Sequence, residues 1–367
     1  MNRLHRKRNG IARALFKTLR ISLLGNPVLT MTKASCESNT NLSPGLLSPG
    51  PLTAGSLSPG CGKIPEPLAH VLTVDVEDYF QVEAFAEKVK RDDWEQYPSR
   101  VDANTRRVLD LFDEHGARGT FFFVGWVADK FPQLVREVHA RGHELACHSY
   151  WHRTIYSLSP EEFREDTRRA KHAIENAAGV AVSGYRAPSW SITKDCMWAL
   201  EILAEEGFTY DSSIYPIHHD LYGVPGAQRF PYTFQFQNGR KLREYPPATL
   251  RFMGTNLPVA GGGYLRIFPA AYNEMAFRVF EKDYAQRVVV YLHPWEIDPD
   301  QPRIAGKLKS RFRHYTQLRN MSSKVGRLLK RYKFTRFCDV LAAEEASQIL
   351  NGHAVETAGV SAGVTAR

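Results

Sequence analysis

Two histidines stand four residues apart in the segment HSYWH. This spacing puts the imidazoles of His148 and His152 on one side of a turn, where both could bind a single metal ion. The alternative to a metal site is that His148 is a buried histidine with its hydrogen bonds made within the protein, and that His152 lies on the surface. The acidic run Asp75-Val-Glu77-Asp78 offers the carboxylate that would complete such a site. Two histidines and one carboxylate leave open positions on a metal for water and substrate.

Polar residues recur at one kind of position along the chain. Five of them lie at the C-terminal ends of short apolar strand candidates: Asp75, His148, Arg186, Asp211 and His293. In a β/α barrel these strand ends converge on one mouth, where catalysis takes place. The pattern therefore predicts that the five side chains meet at a single site.

The elements that would position these residues alternate from His70 onward. Apolar runs at 71–75, 120–125 and 288–294 are typical of strands, and helical periodicity covers 104–115 and 127–140. Ser159-Pro-Glu-Glu162 is a capping box with proline at the first helical position, and this helix is expected to end at Gly179. Strand–helix alternation predicts an α/β fold with a parallel sheet or barrel. Residues 215–265 are expected to form loops with short strands.

The net charge of +9 is distributed unevenly. Residues 69–302 sum to −7, whereas residues 303–336 carry twelve Lys/Arg and no acid. An enzyme acting on nucleic acid would usually have a positive working face, so no nucleic-acid partner is expected. The basic segment alternates its charges with Leu308, Phe312, Leu318, Val325, Leu328 and Leu329, as an amphipathic helix would. Such a helix could pack on the domain as a solvated face, or contact an anionic membrane or an acidic polysaccharide.

Four segments are predicted from these patterns. They are a disordered basic and Ser/Pro/Gly-rich leader (1–68), a catalytic domain (69–300), a basic amphipathic extension packed on that domain (301–345) and a disordered tail (346–367). Two alternatives for the leader are an amphipathic helix touching anionic lipid and a later translation start at Met31.

The sequence favours a cytoplasmic location, peripheral to the inner membrane. Five cysteines occur without CxxC spacing, which is typical of reduced thiols. The sequence contains no run of 18 apolar residues, so no membrane-spanning helix is predicted. The apolar stretch near Leu23–Leu29 is short and broken by Gly25 and Pro27, so a cleaved secretory signal is not expected.

The motifs resemble those of the polysaccharide deacetylases of carbohydrate esterase family 4, the NodB-homology domain. The similar segments are TVDVED (73–78), HSYWH (148–152), RAPSW (186–190), YDSS (210–213) and LHPW (292–295). Their order and spacing agree with the family over roughly residues 70–300. DVEDYF together with AGGGYLRIFP (260–269) looks like the exosortase-associated exopolysaccharide deacetylases. The resemblance implies an irregular (β/α) barrel of about seven strands.

The resemblance also implies roles for single residues. Asp75 would be the general base for a metal-bound water, Arg186 would orient it, and His293 would be the general acid. Asp211 would tune the catalytic histidine. The implied metal ligands are His148 and His152 with a third from Glu77 or Asp78, because Val76 interrupts the family's usual adjacent acids. Trp190, Tyr150 and Pro188 would contribute to substrate binding.

The implied reaction removes N-acetyl groups from amino sugars of an acetylated polysaccharide or lipid-linked glycan, with a divalent ion, preferably Zn²⁺, as cofactor. A non-haem iron oxygenase would use similar ligands but on an all-β fold. An allantoinase-like C–N hydrolase on the same fold is a nearer alternative. A non-catalytic carbohydrate-binding protein is the third, because of the unusual DVED spacing.

Overall fold

The structure is a computed structural model that describes residues 68–219, 222–259 and 261–347. The predicted leader lies outside these ranges except for its last residue, and the predicted tail lies outside them except for its first two. Ala260 is also outside. The four segment boundaries therefore stay predictions.

The described ranges contain eleven strands and nine α-helices with full bounds. The strands are β1 (His70–Val76), β2 (Thr120–Phe123), β3 (Glu144–Cys147), β4 (Gly184–Tyr185), β5 (Tyr210–Asp211), β6 (Tyr232–Gln235), β7 (Lys241–Glu244), β8 (Thr249–Phe252), β9 (Thr255–Pro258), β10 (Val289–Leu292) and β11 (Phe334–Thr335). The helices are α1 (Val101–Glu114), α2 (Gly125–Lys130), α3 (Pro132–Ala140), α4 (Pro160–Ala178), α5 (Trp198–Glu205), α6 (Gly262–Ile267), α7 (Ala270–Val279), α8 (Leu308–Tyr315) and α9 (Met321–Arg331). Residues 337–347 are helical as well.

One curled sheet organises the molecule. Its strand order is β10-β1-β2-β3-β4-β5-β7-β6, with β11 added beside β1. Along this path the first seven strands are parallel, and β6 is antiparallel to β7. The sheet forms a half-barrel. The predicted α/β architecture with about seven parallel strands is confirmed. The hairpin β8–β9 forms a separate two-stranded sheet, in agreement with the short strands expected in 215–265.

The central strands are hydrophobic because both of their faces are covered. All seven residues of β1 and all four of β2 are buried. Such near-continuous apolar runs are typical of parallel strands between helical layers. Phe122 of β2 packs in a cluster with Tyr210, Tyr245 and Phe337. The helical segment 337–347 therefore contributes Phe337 to the same core as the sheet.

Local signals set the ends of α4 as expected. The Ser159 side chain accepts from the backbone N–H of Glu162, and the Glu162 side chain accepts from the N–H of Ser159. Pro160 occupies the first helical position, where its missing N–H costs nothing. Gly179 ends the helix with φ 72°, a left-handed conformation that favours glycine.

The basic segment 303–336 differs from the single amphipathic helix that the sequence predicts. It forms two helices, α8 and α9, separated by Gln317 in a left-handed conformation. The apolar side chains of the second part are buried: Leu318, Val325, Leu328 and Leu329. Leu308 and Phe312 of α8 are exposed instead. The segment thus packs on the domain through α9, while α8 presents apolar side chains to solvent.

Across the described residues, none of the helices combines the length and the hydropathy needed to cross a bilayer.

Candidate active site

The predicted strand ends do meet at one edge of the sheet. Asp75 is the sixth residue of β1, His148 follows β3, Arg186 follows β4, and His293 follows β10. β1 lies between β10 and β2, so the residues from β1 and β10 are direct neighbours. Parallel strands bring their carboxyl ends to the same edge, which explains this clustering.

Glu77, His148 and His152 form a buried group with the geometry of a metal site. One potential ligand atom from each residue lies within 4.8 Å of the others. His152 Nε2 is 2.6 Å from Glu77 Oε2. Both atoms are buried, and apart from this mutual contact neither has a hydrogen-bond partner in the described part of the chain. Buried polar atoms with so few partners are costly, so a cation bound at this group fits the donor set.

The loop carrying the two histidines is not helical. Ser149 and His152 adopt left-handed backbone conformations, with φ of 63° and 49°. This loop brings the two imidazole centroids to 5.2 Å. Non-glycine residues pay for such conformations, and they concentrate at functional sites.

The protonation of His148 suits a metal ligand. Its Nδ1 lies 2.7 Å from the carbonyl oxygen of Arg186, so Nδ1 carries the proton and Nε2 keeps a lone pair. Burial lowers the pKa of His148 to about 4, which keeps the ring neutral. Burial alone would raise the pKa of Glu77, but nearby His152 and His293 hold it below its usual range. A neutral His148 ring and an ionised Glu77 carboxylate are therefore available together.

Asp78 does not join this group. Its Oδ2 accepts from the Ser99 hydroxyl at 2.6 Å and from the backbone N–H groups of Arg100 and Val101. Its carboxylate thus binds the free N–H groups at the start of α1, a role typical of helix caps. Of the two candidates for the third ligand, the structure brings only Glu77 to the histidines.

Arg186 fixes the orientation of Asp75. Its guanidinium donates to Asp75 Oδ1 at 2.7 Å and to the Thr73 hydroxyl at 2.7 Å. It also donates to the hydroxyl of Ser212 and lies 4.2 Å from the Phe122 ring centroid. Arg186 is fully buried. Because one carboxylate oxygen is held by the arginine, the other is directed to the site, where Asp75 Oδ2 lies 3.8 Å from His293 Nε2.

His293 is held by Glu296, not by Asp211. Its Nδ1 is 3.1 Å from Glu296 Oε2, and Glu296 Oε1 accepts from Arg266 Nε at 2.5 Å. Burial alone would lower the pKa of His293, but Glu77 and Glu296 raise it to about 9. Burial would raise the pKa of Glu296, but Arg266 lowers it to about 2.

The predicted role of Asp211 in tuning the histidine is therefore not what the structure shows. Asp211 accepts from the Ser213 hydroxyl at 2.6 Å and from its N–H, and it lies beside the buried carboxyl of Glu244. Burial raises the pKa of Asp211 to about 6. The Ser213 hydroxyl accepts from the N–H of Ala187, so Asp211 supports the backbone after Arg186.

Of the three residues predicted to bind substrate, two lie beside Arg186 and one does not. Trp190 is buried with its ring 4.9 Å from that of Tyr291 and 4.8 Å from the Arg186 guanidinium. Pro188 begins the short helical turn Pro188–Trp190 beside Arg186. Tyr150 points elsewhere: its hydroxyl donates to Asp129, and Arg169 covers its ring at 3.8 Å. Tyr150 therefore belongs to the packing of α4 and not to the site.

Three residues that the sequence did not single out take part in the site. Trp295 donates its indole N–H to Glu77 Oε1 at 3.0 Å and stacks on His293. Glu296 follows Trp295 in the same short turn, Pro294–Ile297. The extended motif HPWE could therefore have indicated Glu296 as a residue of the site. Arg266 comes from α6, 30 residues earlier, and lies in the segment AGGGYLRIFP, to which the sequence assigned no role in the site.

The glycines of the GGG run serve packing. A Cβ on Gly261 would come within 2.0 Å of the Tyr291 ring, and one on Gly262 within 2.8 Å. The structure shows a close approach to a tyrosine ring next to His293.

Comparisons with known proteins agree with this architecture. Residues 92–210 match the family model described as polysaccharide deacetylase, and residues 212–342 match a domain of unknown function, DUF3473. The fold is similar to that of a Mycobacterium smegmatis protein assigned as a polysaccharide deacetylase, with a TM-score of 0.50 and 22% identity over 77% of this chain and 96% of that one.

Curated relatives give the same class. A peptidoglycan-N-acetylglucosamine deacetylase of Bacillus cereus is 30% identical over 98 residues, which is 26% of this chain and 36% of the relative. A chitooligosaccharide deacetylase of Bradyrhizobium is 33% identical over 94 residues, which is 25% of this chain and 43% of the relative. The matches thus span less than half of each of these relatives. The chain carries a polysaccharide deacetylase domain of the NodB-homology family. In this chain that domain is followed by the DUF3473 segment, which contains His293, Glu296 and Arg266.

Proposed function

We propose that the protein is a metal-dependent deacetylase that hydrolyses N-acetyl groups on amino sugars of a polysaccharide. The observation that carries this proposal is the convergence of the Glu77/His148/His152 group with Asp75 and His293, whose Oδ2 and Nε2 atoms lie 3.8 Å apart. The named deacetylase relatives support the same class of reaction. They do not favour the allantoinase-like or the non-catalytic alternative.

The donor set suits a divalent ion, and Zn²⁺ is the proposed one, because zinc binds imidazole and carboxylate ligands and keeps open positions in catalytic sites. Glu77, His148 and His152 would hold it. When bound, such an ion polarises a carbonyl and lowers the pKa of water towards neutrality.

Asp75 is placed to act as the general base. Arg186 occupies Oδ1, and Oδ2 remains directed to the site. The carboxylate would take a proton from water as the water oxygen bonds to the acetamide carbon. Arg186 also neutralises a carboxylate that is 3% exposed and would otherwise be costly to bury.

His293 is placed to act as the general acid. Glu296 accepts from Nδ1–H, so Nε2 faces Asp75 and Glu77. A proton on Nε2 can pass to the amine nitrogen as the C–N bond breaks, leaving acetate and a free amino sugar. His293 is the most accessible of these groups, with 18% of its side chain exposed, as a group that contacts substrate should be.

The test is acetate release from an N-acetylglucosamine oligomer by the purified chain. We expect activity that is lost on metal removal, restored by zinc and abolished by Asp75→Asn. Asp92→Asn is the matched control, because Asp92 is exposed on the Arg91–Gln96 turn. Zinc-restored protein that binds metal but releases no acetate from any acetylated sugar polymer would contradict the proposal.

A further inference from the structure

Helix α8 presents two large apolar side chains to solvent. Leu308 is 82% exposed and Phe312 is 62% exposed. They are four residues apart, which places them on the same face of the helix. Among the described residues, the other large apolar side chains with high exposure are Tyr156, Phe252 and Met253. Two neighbouring apolar side chains on one short helix form a patch that the packing of the domain does not explain.

The helix that carries this patch is strongly basic. α8 itself contains Lys309, Arg311 and Arg313 and no acidic residue. All three are exposed. Exposed apolar side chains flanked by lysine and arginine are the pattern of helices that lie in the headgroup region of an anionic bilayer. Each basic side chain at such a surface strengthens binding by about fivefold.

The same helix is attached directly to the active site. At its C-terminal end, His314 stacks on Trp295 at 4.1 Å, and Trp295 contacts Glu77. Arg266, which holds Glu296, donates to the backbone carbonyls of Arg313 and His314. The exposed face of α8 and the catalytic residues are therefore parts of one packed unit.

We propose that α8 docks this protein on a bilayer rich in anionic phospholipid, with Leu308 and Phe312 inserted and Lys309, Arg311 and Arg313 at the headgroups. Resting on the proposed function, the inference adds that the substrate is a glycan held at that surface through a lipid. The apolar pair distinguishes a lipid surface from an acidic polysaccharide, which would bind the basic side chains but would not draw Leu308 and Phe312 from water.

The test measures co-sedimentation of the full chain with vesicles of phosphatidylcholine alone or with about 30% phosphatidylglycerol. We expect binding at least about tenfold stronger to the anionic vesicles. Leu308→Ser/Phe312→Ser should weaken that binding about tenfold or more. The control Phe252→Ser/Met253→Ser removes an exposed apolar pair from the β8–β9 hairpin and should change it less than about twofold.

Two further readouts separate the possible failures. Amide hydrogen exchange in 307–315 should slow on anionic vesicles, which locates the contact within the full chain. Acetate release from a soluble oligosaccharide should be unchanged in Leu308→Ser/Phe312→Ser, so failure of the proposed function appears in that assay alone. Equal binding to both vesicle types, or unchanged exchange in α8, would overturn the inference. So would a self-association that the double variant abolishes, or binding to a soluble acidic polysaccharide that depends on Arg311 and Arg313 and not on the apolar pair.

Discussion

Residues 68–211 and residues 212–347 contribute to the active site in different ways. The first region supplies Asp75 and the metal-binding group from β1 and β3, and Arg186 holds the base from β4. Strand register places Asp75, His148 and Arg186, and the turns after β1 and β3 bring in Glu77 and His152. The second region supplies His293 from β10, but this histidine is oriented through Glu296 and through Arg266 of α6.

The two regions differ in where the supporting residues lie relative to the residues proposed to perform chemistry. In the first region, both kinds lie in or next to motifs at strand ends. In the second, the supporting ion pair is buried and joins α6 to the turn after β10, and Arg266 also binds the carbonyls of 313, 314 and 316. The DUF3473 segment therefore contributes His293 and its supporting ion pair to the candidate active site.

The largest effect is expected at the group in the first region that is proposed to hold metal. His152→Ala should reduce acetate release by about 1,000-fold or more, because metal catalysis contributes several kcal/mol. The same variant should lose stoichiometric zinc, measured by elemental analysis. His172→Ala, on α4 and exposed, is the control. Full activity in His152→Ala would remove the metal site from the account.

The next effect tests the support in the second region. Glu296→Gln removes the charge that links His293 to Arg266, and it should lower kcat by about 10- to 100-fold with KM and zinc content unchanged. If Glu296 had a purely structural role, the variant would give less folded protein, and kcat would not fall while KM stays unchanged.

Asp211→Asn gives the matched comparison. Asn can still accept from the Ser213 hydroxyl, and within the described residues Asp211 makes its side-chain hydrogen bonds to Ser213 and not to His293. We expect kcat within a few-fold of the wild-type value. A loss as large as that of Glu296→Gln would restore the tuning role that the sequence indicated for Asp211.

A smaller effect, on stability, separates the two acids after β1. Asp78→Asn should cost about 2 kcal/mol of unfolding free energy, since a buried carboxylate that accepts several N–H bonds at the start of α1 is replaced. Zinc content should not change. Urea unfolding and metal analysis of the same sample check both statements, and loss of zinc with unchanged stability would make Asp78 the ligand.

The smallest effect concerns His70, at the seam between the two regions. Its Nδ1 accepts from the N–H of Val288, and burial, with Arg287 nearby, lowers its pKa to about 4. Between pH 6.5 and 4 the unfolded chain binds a proton that the folded chain does not, so this contribution to stability is lost as pH falls. At pH 5.5 the loss is about 1.4 kcal/mol. NMR titration of the His70 ring measures the pKa, and a value near 6.5 would contradict the prediction.

Much of the site could be predicted because few physical rules govern it. Asp75 could be placed because it lies near the carboxyl end of β1. The choice between Glu77 and Asp78 could not, because both follow the strand, where the N–H of Glu77 donates to the Asp75 carbonyl and the chain turns. His148, Arg186 and His293 could be placed from strand ends alone.

The remaining features depend on tertiary packing. The pairing of Arg266 with Glu296 joins residues 30 positions apart, and no local pattern indicates it. The left-handed conformation of Ser149 turns Tyr150 towards α4, although its motif neighbours His148 and His152 enter the site. The periodicity of 303–336 was amphipathic throughout, but the break at Gln317 leaves the first part of the pattern facing solvent.

The measurement that tests the central claim most directly compares Glu77→Gln with His293→Ala, with zinc content and acetate release measured on the same samples. If the first region binds the metal and the second donates the proton, Glu77→Gln should lose both zinc and acetate release. It predicts that His293→Ala keeps its zinc and loses activity by about 100- to 10,000-fold. Loss of zinc from His293→Ala, or acetate release at the wild-type rate from either variant, would contradict the assignment of metal binding to one region and proton donation to the other.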